Sequence, residues 1–386
     1  MKLGVAKETF PGERRVGLTP RVVASLQRKG VEILLEKDAG RRAGFPDDAY
    51  REKGVEILST REELFDSSDA LIQVRTAGAN PEKGKEDLQW LHLDQIVIGL
   101  AEALSQPEAV AEMAERGVTL LALDLIPRIA RAQTMDVLSS MAIVAGYKSV
   151  LLAAERLPKM FPMMVTAAGT VAPARVFVLG AGVAGLQAIA TARRLGAAVE
   201  AYDIRPETKR EILSLGAKLV DVSLETGDVR DGGGYAKLQA ESFYQRQREA
   251  IAQVVAASDA VITTAAVPGK RAPVLVSASM VASMTPGSVI VDLAAERGGN
   301  CQLTRPGEVI EERGVTIIGP VNLPSTVPFH ASQMYAKNAS TFFLHLVQDG
   351  PIDLDREDEI LRQTLVTRNK KIVNPRVLEA LSSRRG

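Results

Sequence analysis

The sequence predicts an α/β protein made of two doubly wound parallel-sheet domains with a cleft between them. Three observations carry this. Short runs of Val, Ile and Leu alternate with amphipathic segments along most of the chain. The apolar runs are continuous, as in strands covered on both faces. The length, 386 residues, is enough for two domains with separate cores.

The elements follow in order. "KLGVA" from Lys2, "VEILLE" from Val31, "DALIQV" from Asp69, "QIVIGL" from Gln95 and "TLLALD" from Thr119 read as buried strands. Between them, "LTPRVVASLQRKG" reads as a helix with Thr19 as N-cap, Pro20 at its first position and Gly30 past its end. "QPEAVAEMAERG" ends the same way at Gly117. A long helix is expected from about Met135 to Leu157, and the three prolines of "PKMFPMMVTAAGTVAPA" mark the junction. A second βα series follows with "RVFVL", "AVEAY", "DAVITTA", "SVIVDL" and "GVTIIG". From about Pro324 the chain turns polar and helical, with a hairpin expected at Asn369-Lys370, and this tail should return to the first domain. The domains are therefore residues 1–140 with 327–386, and 141–326.

Composition excludes several classes. Formal net charge is zero, so nothing favours nucleic acid as a partner. A single cysteine, Cys301, rules out a disulfide framework within the chain and suits a reducing cytosol. His92, His330, His345 and Cys301 show no ligand spacing, so no metal site is expected; the histidines read as surface or packed residues. The N-terminus lacks the pattern of a signal peptide. No apolar run is expected to reach the roughly 20 residues of a bilayer span. The expectation is a soluble chain, which could still dock on a membrane protein.

The strongest motif is "RVFVLGAGVAGLQAIATARRLGAAVEAYD". Gly180, Gly182 and Gly185 form a G-x-G-x-x-G between an apolar strand and a helix. The first allows a tight turn, the second a close approach of backbone to pyrophosphate, the third close helix–strand packing. The helix N-terminus, starting at Val183, offers free N–H groups and a positive dipole end. Asp203 follows where an acid should bond the adenosine ribose, with Ile204 and Arg205 beside it. A carboxylate there favours NAD over NADP, because it repels a 2′-phosphate. Arg205 could hold that phosphate, or could pair with Asp203 or Glu207. The domains thus read as Rossmann-like.

"PRIARAQTMDVLSS", Pro127 to Ser140, is a second polar constellation. It has no histidine, cysteine or glutamate, so its groups suit holding a ligand better than moving protons. Gln133, Asp136 and Ser139 are three apart and would share one face of a helix. "TGDVRDGGGYAKLQAES", from Thr226, interrupts the second series as a long glycine-rich loop.

On these residues the chain resembles the alanine dehydrogenase and pyridine nucleotide transhydrogenase family. The resemblance runs nearly end to end, through "GVAKE", "ERRVGLTP", the glycine turn, "PGKRAPVLV" and "VDLAAERGGN". It implies one of two activities. Alanine dehydrogenase interconverts an amino acid and a 2-oxo acid, so it needs an acid/base. That branch has a lysine and a histidine at the positions that the resemblance matches to Gln73 and Leu100. Arg15, which could hold a carboxylate, is kept. Glu296 stands where that branch has an aspartate near the reacting ring, and reads here as structural. The transhydrogenase branch passes a hydride from NAD(H) directly to NADP(H) on another component, which requires no proton transfer.

The resemblance to that branch implies that Arg128, Gln133, Asp136 and Ser139 grip the nicotinamide end of NAD(H). It also implies a mobile loop at about 222–242 with contacts from Gly234 and Tyr235, and an adenosine contact from the Ala265 backbone. It further implies an NADP(H)-binding subunit and a membrane-spanning proton-channel subunit as partners, a homodimer, and a cytoplasmic, peripheral location through those partners. "FPMMVTAAGTV" could be the dimer contact or core packing. The alternatives are a self-sufficient NAD-dependent amino acid dehydrogenase and a non-catalytic NAD-binding module.

Overall fold

The computed structural model describes residues 1–386 except 222–233, 267–270, 348–351 and 386; for 234–244 it describes the backbone alone. The chain divides into two compact units, Met1–Met141 with Pro324–Gly386, and Ala142–Leu323.

The first unit holds β1 (Lys2–Val5), β2 (Glu32–Glu36), β3 (Glu56–Leu58), β4 (Ala70–Arg75), β5 (Ile96–Leu100) and β6 (Thr119–Ala122). They pair in the order β3-β2-β1-β4-β5-β6, all parallel. This is the doubly wound order, whose switch point lies between β1 and β4. The tail strand Leu365–Arg368 adds antiparallel to β6 and turns back as Lys371–Ile372. Thr367 Oγ1 secures that edge, accepting from Leu120 N at 3.0 Å and donating to Val118 O at 2.7 Å. The hairpin turns at Asn369 and Lys370, both at positive φ (51° and 62°), as its sequence predicts.

Thr19 occupies the N-cap position but makes no capping bond. Its side chain is fully buried and its Oγ1 has no partner. The helix Pro20–Gln27 therefore starts from proline's preset backbone and not from a side-chain cap.

The second unit opens with a short hairpin, β7 (Met164–Thr166) and β8 (Gly169–Val171). The proline-rich stretch expected to be a junction thus lies inside this unit. Then come β9 (Arg175–Leu179), β10 (Ala198–Tyr202), β11 (Lys218–Leu219), β12 (Ala260–Thr263), β13 (Val289–Asp292), β14 (Val309–Glu312) and β15 (Val315–Ile318). Their order is β11-β10-β9-β12-β13-β15-β14, with β14 antiparallel at the edge and the rest parallel. The winding repeats that of the first unit. Alternate residues face opposite sides of the sheet, and both sides are core. Val176, Val178, Ile262 and Val291 pack on one face; Phe177, Leu179, Val261 and Ile290 pack on the other.

The helix Val137–Arg156 is long and apolar enough, by length and composition, to cross a membrane, which corrects the sequence reading. Val150 and Ala153 on it are wholly buried in the second unit's core. Gly146 brings it against the helix Val183–Arg194: a Cβ there would lie 2.1 Å from the Ala184 carbonyl oxygen.

Candidate functional site

In the second unit the chain leaves β9 through Gly180, at φ 97°, a conformation that only glycine adopts without strain. Thr264, just past β12, donates its hydroxyl to the Gly180 carbonyl at 2.9 Å. The turn therefore sits at the switch point between β9 and β12, where doubly wound sheets bind ligands. Gly185 has no room for a side chain: a Cβ would lie 1.8 Å from the Gly180 carbonyl oxygen. Gly182 is different. A Cβ there would meet nothing nearer than Arg205 Nη2, at 3.9 Å. One glycine packs the helix onto the turn, and the other leaves open space in front of it.

Gly182 is the N-cap of the helix Val183–Arg194, and the first backbone bond runs from Leu186 N to Gly182 O at 2.8 Å. The N–H groups of the first turn, from Val183 on, are left for an external acceptor. Val183 and Ile204 are both exposed apolar residues.

Asp203 Oδ2 accepts from Ala181 N at 2.6 Å, tying the acid to the turn. Arg205 Nη2 also donates to that oxygen, at 3.0 Å, while its Nε and backbone N–H donate to Oδ1 at 3.0 and 2.9 Å. Although partial burial opposes it, these bonds from Arg205 and Ala181 hold the Asp203 carboxyl below its ordinary range. Of the readings open for Arg205, the structure shows the pair with Asp203.

Ala265 is held on both sides by Asn300. Its N–H donates to Asn300 Oδ1 at 2.9 Å, and its carbonyl accepts from Asn300 Nδ2 at 2.8 Å. The N–H is committed within the protein, and only the carbonyl keeps a spare lone pair. Asn300, fully buried, is a positioning residue that sequence reasoning missed. The loop expected at 222–242 lies outside the described residues up to 233. From Gly234 through Tyr235 and on to Ala256 the backbone is helical, so the second half of that expected loop is helix.

In the first unit the polar stretch does not form one helical face. Residues Ala130–Met135 make a 3₁₀ turn, and Asp136 is extended, with φ −73° and ψ 93°. The helix starts only at Val137. Asp136 caps it, its Oδ1 accepting from Ser139 N at 2.9 Å and its Oδ2 from Ser139 Oγ at 2.6 Å. Asp136 and Ser139 thus serve each other, whereas Gln133 lies on the separate turn. Ala132 and Met135 are buried beneath that turn, and Arg128 and Gln133 are exposed.

The switch point of the first unit holds a second polar cluster. Glu8 is buried and accepts from Val74 N at 2.6 Å and Arg75 N at 3.1 Å. Burial, with the Glu13 charge added, pushes its carboxyl up to about 8. Glu13 and Arg15, both buried, form a bidentate pair at 2.8 and 2.6 Å. Burial opposes the Glu13 charge, but the Arg15 bonds outweigh it and take the carboxyl down to about 2. Gln73 is also buried; its amide donates to Asp87 at 3.1 Å, and its carbonyl accepts from Tyr335 Oη at 2.7 Å. Arg61 joins Asp87 and Glu36 at 2.6 and 2.8 Å. The cluster is tightly self-satisfied, and its carboxylates and cations already hold one another.

Glu296 Oε1 accepts from Asn322 N at 2.6 Å, the structural role expected of it. His345 pairs with Asp358 at 3.1 Å. Among the described residues no group of acids, histidines and cysteines could hold a metal ion.

Two doubly wound sheets, one carrying the glycine turn, define a Rossmann-type protein of the pyridine-nucleotide oxidoreductase class. More narrowly, the chain belongs to the alanine dehydrogenase/PNT family. Residues 4–145 match its N-terminal domain and residues 149–375 its C-terminal domain. The chain is 43% identical to an NAD(P) transhydrogenase subunit alpha chain of Rhodospirillum rubrum over 378 residues, 97% of this chain and 98% of that one. It is similar to the crystal structure of transhydrogenase from Sinorhizobium meliloti, with TM-score 0.87 and 39% identity, covering 97% and 100% of the two chains. An L-alanine dehydrogenase structure has TM-score 0.82 and 27% identity, covering 99% of each.

Proposed function

We propose that this chain is the NAD(H)-binding subunit of a proton-translocating transhydrogenase. One observation carries the choice within the family. The positions that an amino acid dehydrogenase needs for its substrate are spent: Arg15 holds Glu13 through two bonds, and the buried Gln73 can shuttle no proton. The greater identity to a transhydrogenase subunit, 43% against 27% for the L-alanine dehydrogenase structure, supports the same choice.

The residues fit NAD(H). The open space before Gly182 and the first-turn N–H groups after it suit a pyrophosphate, and Asp203 suits ribose hydroxyls. Gly180 and Gly185 shape that turn, with Val183, Ile204, Arg205 and the Ala265 carbonyl around the adenosine half. Arg128 and Gln133 hold the carboxamide end, and Asp136 and Ser139 fix the start of the helix beneath it. Gly234 and Tyr235 complete the set as contacts of the closing segment.

When bound, the nicotinamide supplies the hydride. The protein's part is to fix the ring's rotation and exclude water; no general acid or base is required. NADP(H) is then held by a partner subunit, with a membrane-spanning subunit carrying the protons, and this chain is peripheral on the cytoplasmic side. The exposed apolar hairpin supports a homodimer: Met163, Met164, Val165 and Val171 all face solvent, and a second copy would cover them.

The test begins with the purified chain, NADH, pyruvate and ammonia. Selective NADH binding without turnover is expected, followed by NADH oxidation once an NADP-loaded partner subunit is added. Rapid turnover with pyruvate and ammonia alone would make it an amino acid dehydrogenase. Binding with no transfer to the partner would make it a non-catalytic module.

A further inference from the structure

The turn that carries Gln133 is held from a stretch of the chain 204 residues away. Asn338, on the helix Pro328–Leu346, donates its Nδ2 to the Thr134 carbonyl at 2.8 Å. Asn338 is 7% exposed, and its Oδ1 is buried with no hydrogen-bond partner. A buried amide that leaves its acceptor unused is a costly core residue, and an apolar side chain of the same size would avoid the cost. What asparagine does here that leucine could not is hold the Thr134 carbonyl.

A second anchor lies on the other side of Gln133. Arg131 Nη1 meets Asp358 Oδ2 at 2.9 Å. Asp358 is itself fixed, since its Oδ1 accepts from Leu361 N at 3.0 Å and sits 3.1 Å from His345 Nε2. With Ala132 and Met135 buried beneath the turn, residues 131, 132, 134 and 135 are each tied down. Gln133 stands exposed between them.

We propose that Asn338 is a positioning residue for hydride transfer, fixing the Thr134 carbonyl and through it the direction in which Gln133 points. This rests on the reading that Gln133 holds the nicotinamide end. Hydride transfer depends steeply on the placement of the reacting ring, and a 1 Å error can cost on the order of 100-fold. The adenosine half should set most of the affinity, and Asn338 touches none of its residues.

The test is Asn338→Leu in the full-length chain, alone and assembled with its NADP(H)-binding partner subunit. Three results are expected together. Resistance to urea is equal or higher. Amide hydrogen exchange across 131–136 is roughly tenfold faster. Single-turnover transfer from NADH to NADP on the partner is roughly tenfold slower, with the NADH Kd within about threefold. Asn338→Ala, which adds no bulk, carries the same comparison if the leucine variant fails to fold. Unchanged exchange in a folded variant overturns the anchor; faster exchange with unchanged transfer overturns the positioning role. If the wild-type assembly transfers no hydride, the functional reading fails, and the exchange measurement still decides the anchor.

Discussion

Gly182→Ala separates ligand contact from folding at the glycine turn. The substituted residue keeps an allowed backbone, φ −76° and ψ −171°. Its new methyl meets no protein atom nearer than 3.9 Å. The fold should therefore tolerate it, gaining about 0.4–1 kcal/mol from a stiffer unfolded chain. A pyrophosphate approaching the turn would meet that methyl head on. Overpacking of this kind costs about 1–3 kcal/mol, or about 5- to 150-fold in Kd. Gly185→Ala is the contrasting case, because its Cβ would lie 1.8 Å from the Gly180 carbonyl oxygen. The helix Val183–Arg194 would have to retreat by more than about 1 Å, so that variant loses stability before any ligand is added. Urea unfolding and NADH titration by nucleotide fluorescence report the two effects separately. If Gly182→Ala binds NADH like the wild type, the turn does not hold the pyrophosphate. A lower urea midpoint in Gly182→Ala would mean that the space in front of it is not free.

Three further outcomes are expected. Glu8 has its carboxyl raised from 4.5 to about 8, so the folded protein holds a proton that the unfolded chain has released between those values. Its contribution is fully present below about pH 4.5 and is lost as pH rises to 8. Asp124, raised to about 6, adds only to the lower end of that range. In Glu8→Gln the fall in urea midpoint from pH 6 to 8 should disappear; an unchanged slope would place the titration elsewhere. Gln133→Asn should slow hydride transfer strongly in the assembly while NADH affinity stays within a few fold, and a large affinity loss with normal transfer would contradict its role. Asp136→Ala removes the cap at Ser139 and should cost about 1 kcal/mol in urea unfolding; a shift too small to measure would mean that the 3₁₀ turn alone fixes the helix start.

The central strands were legible because each buries a continuous apolar run against two layers. The glycine turn was legible because its signal is local: strand, three glycines, helix and acid within one short segment. Edge strands were not. Glu56–Leu58 and Lys218–Leu219 are three and two residues long and partly exposed, too short for a periodic pattern. Spacing also misled at Gln133, Asp136 and Ser139, where a three-residue interval implied one helix face. Asp136 instead leaves the helical conformation to cap the turn that follows, a choice between competing local hydrogen bonds that spacing does not show.

By itself, then, the sequence determined what is built from neighbours in the chain: the strand runs, the glycine turn with its acid, and the hairpin at Asn369-Lys370. Tertiary structure alone decided which long-range partners meet. It joined Asn338 to Thr134, Arg131 to Asp358, Asn300 to Ala265, and the Glu8 carboxylate to β4. Each is a hydrogen bond or ion pair between residues far apart in sequence. Such a contact leaves no periodic trace, because one polar side chain suffices and its partner is chosen only when the elements pack.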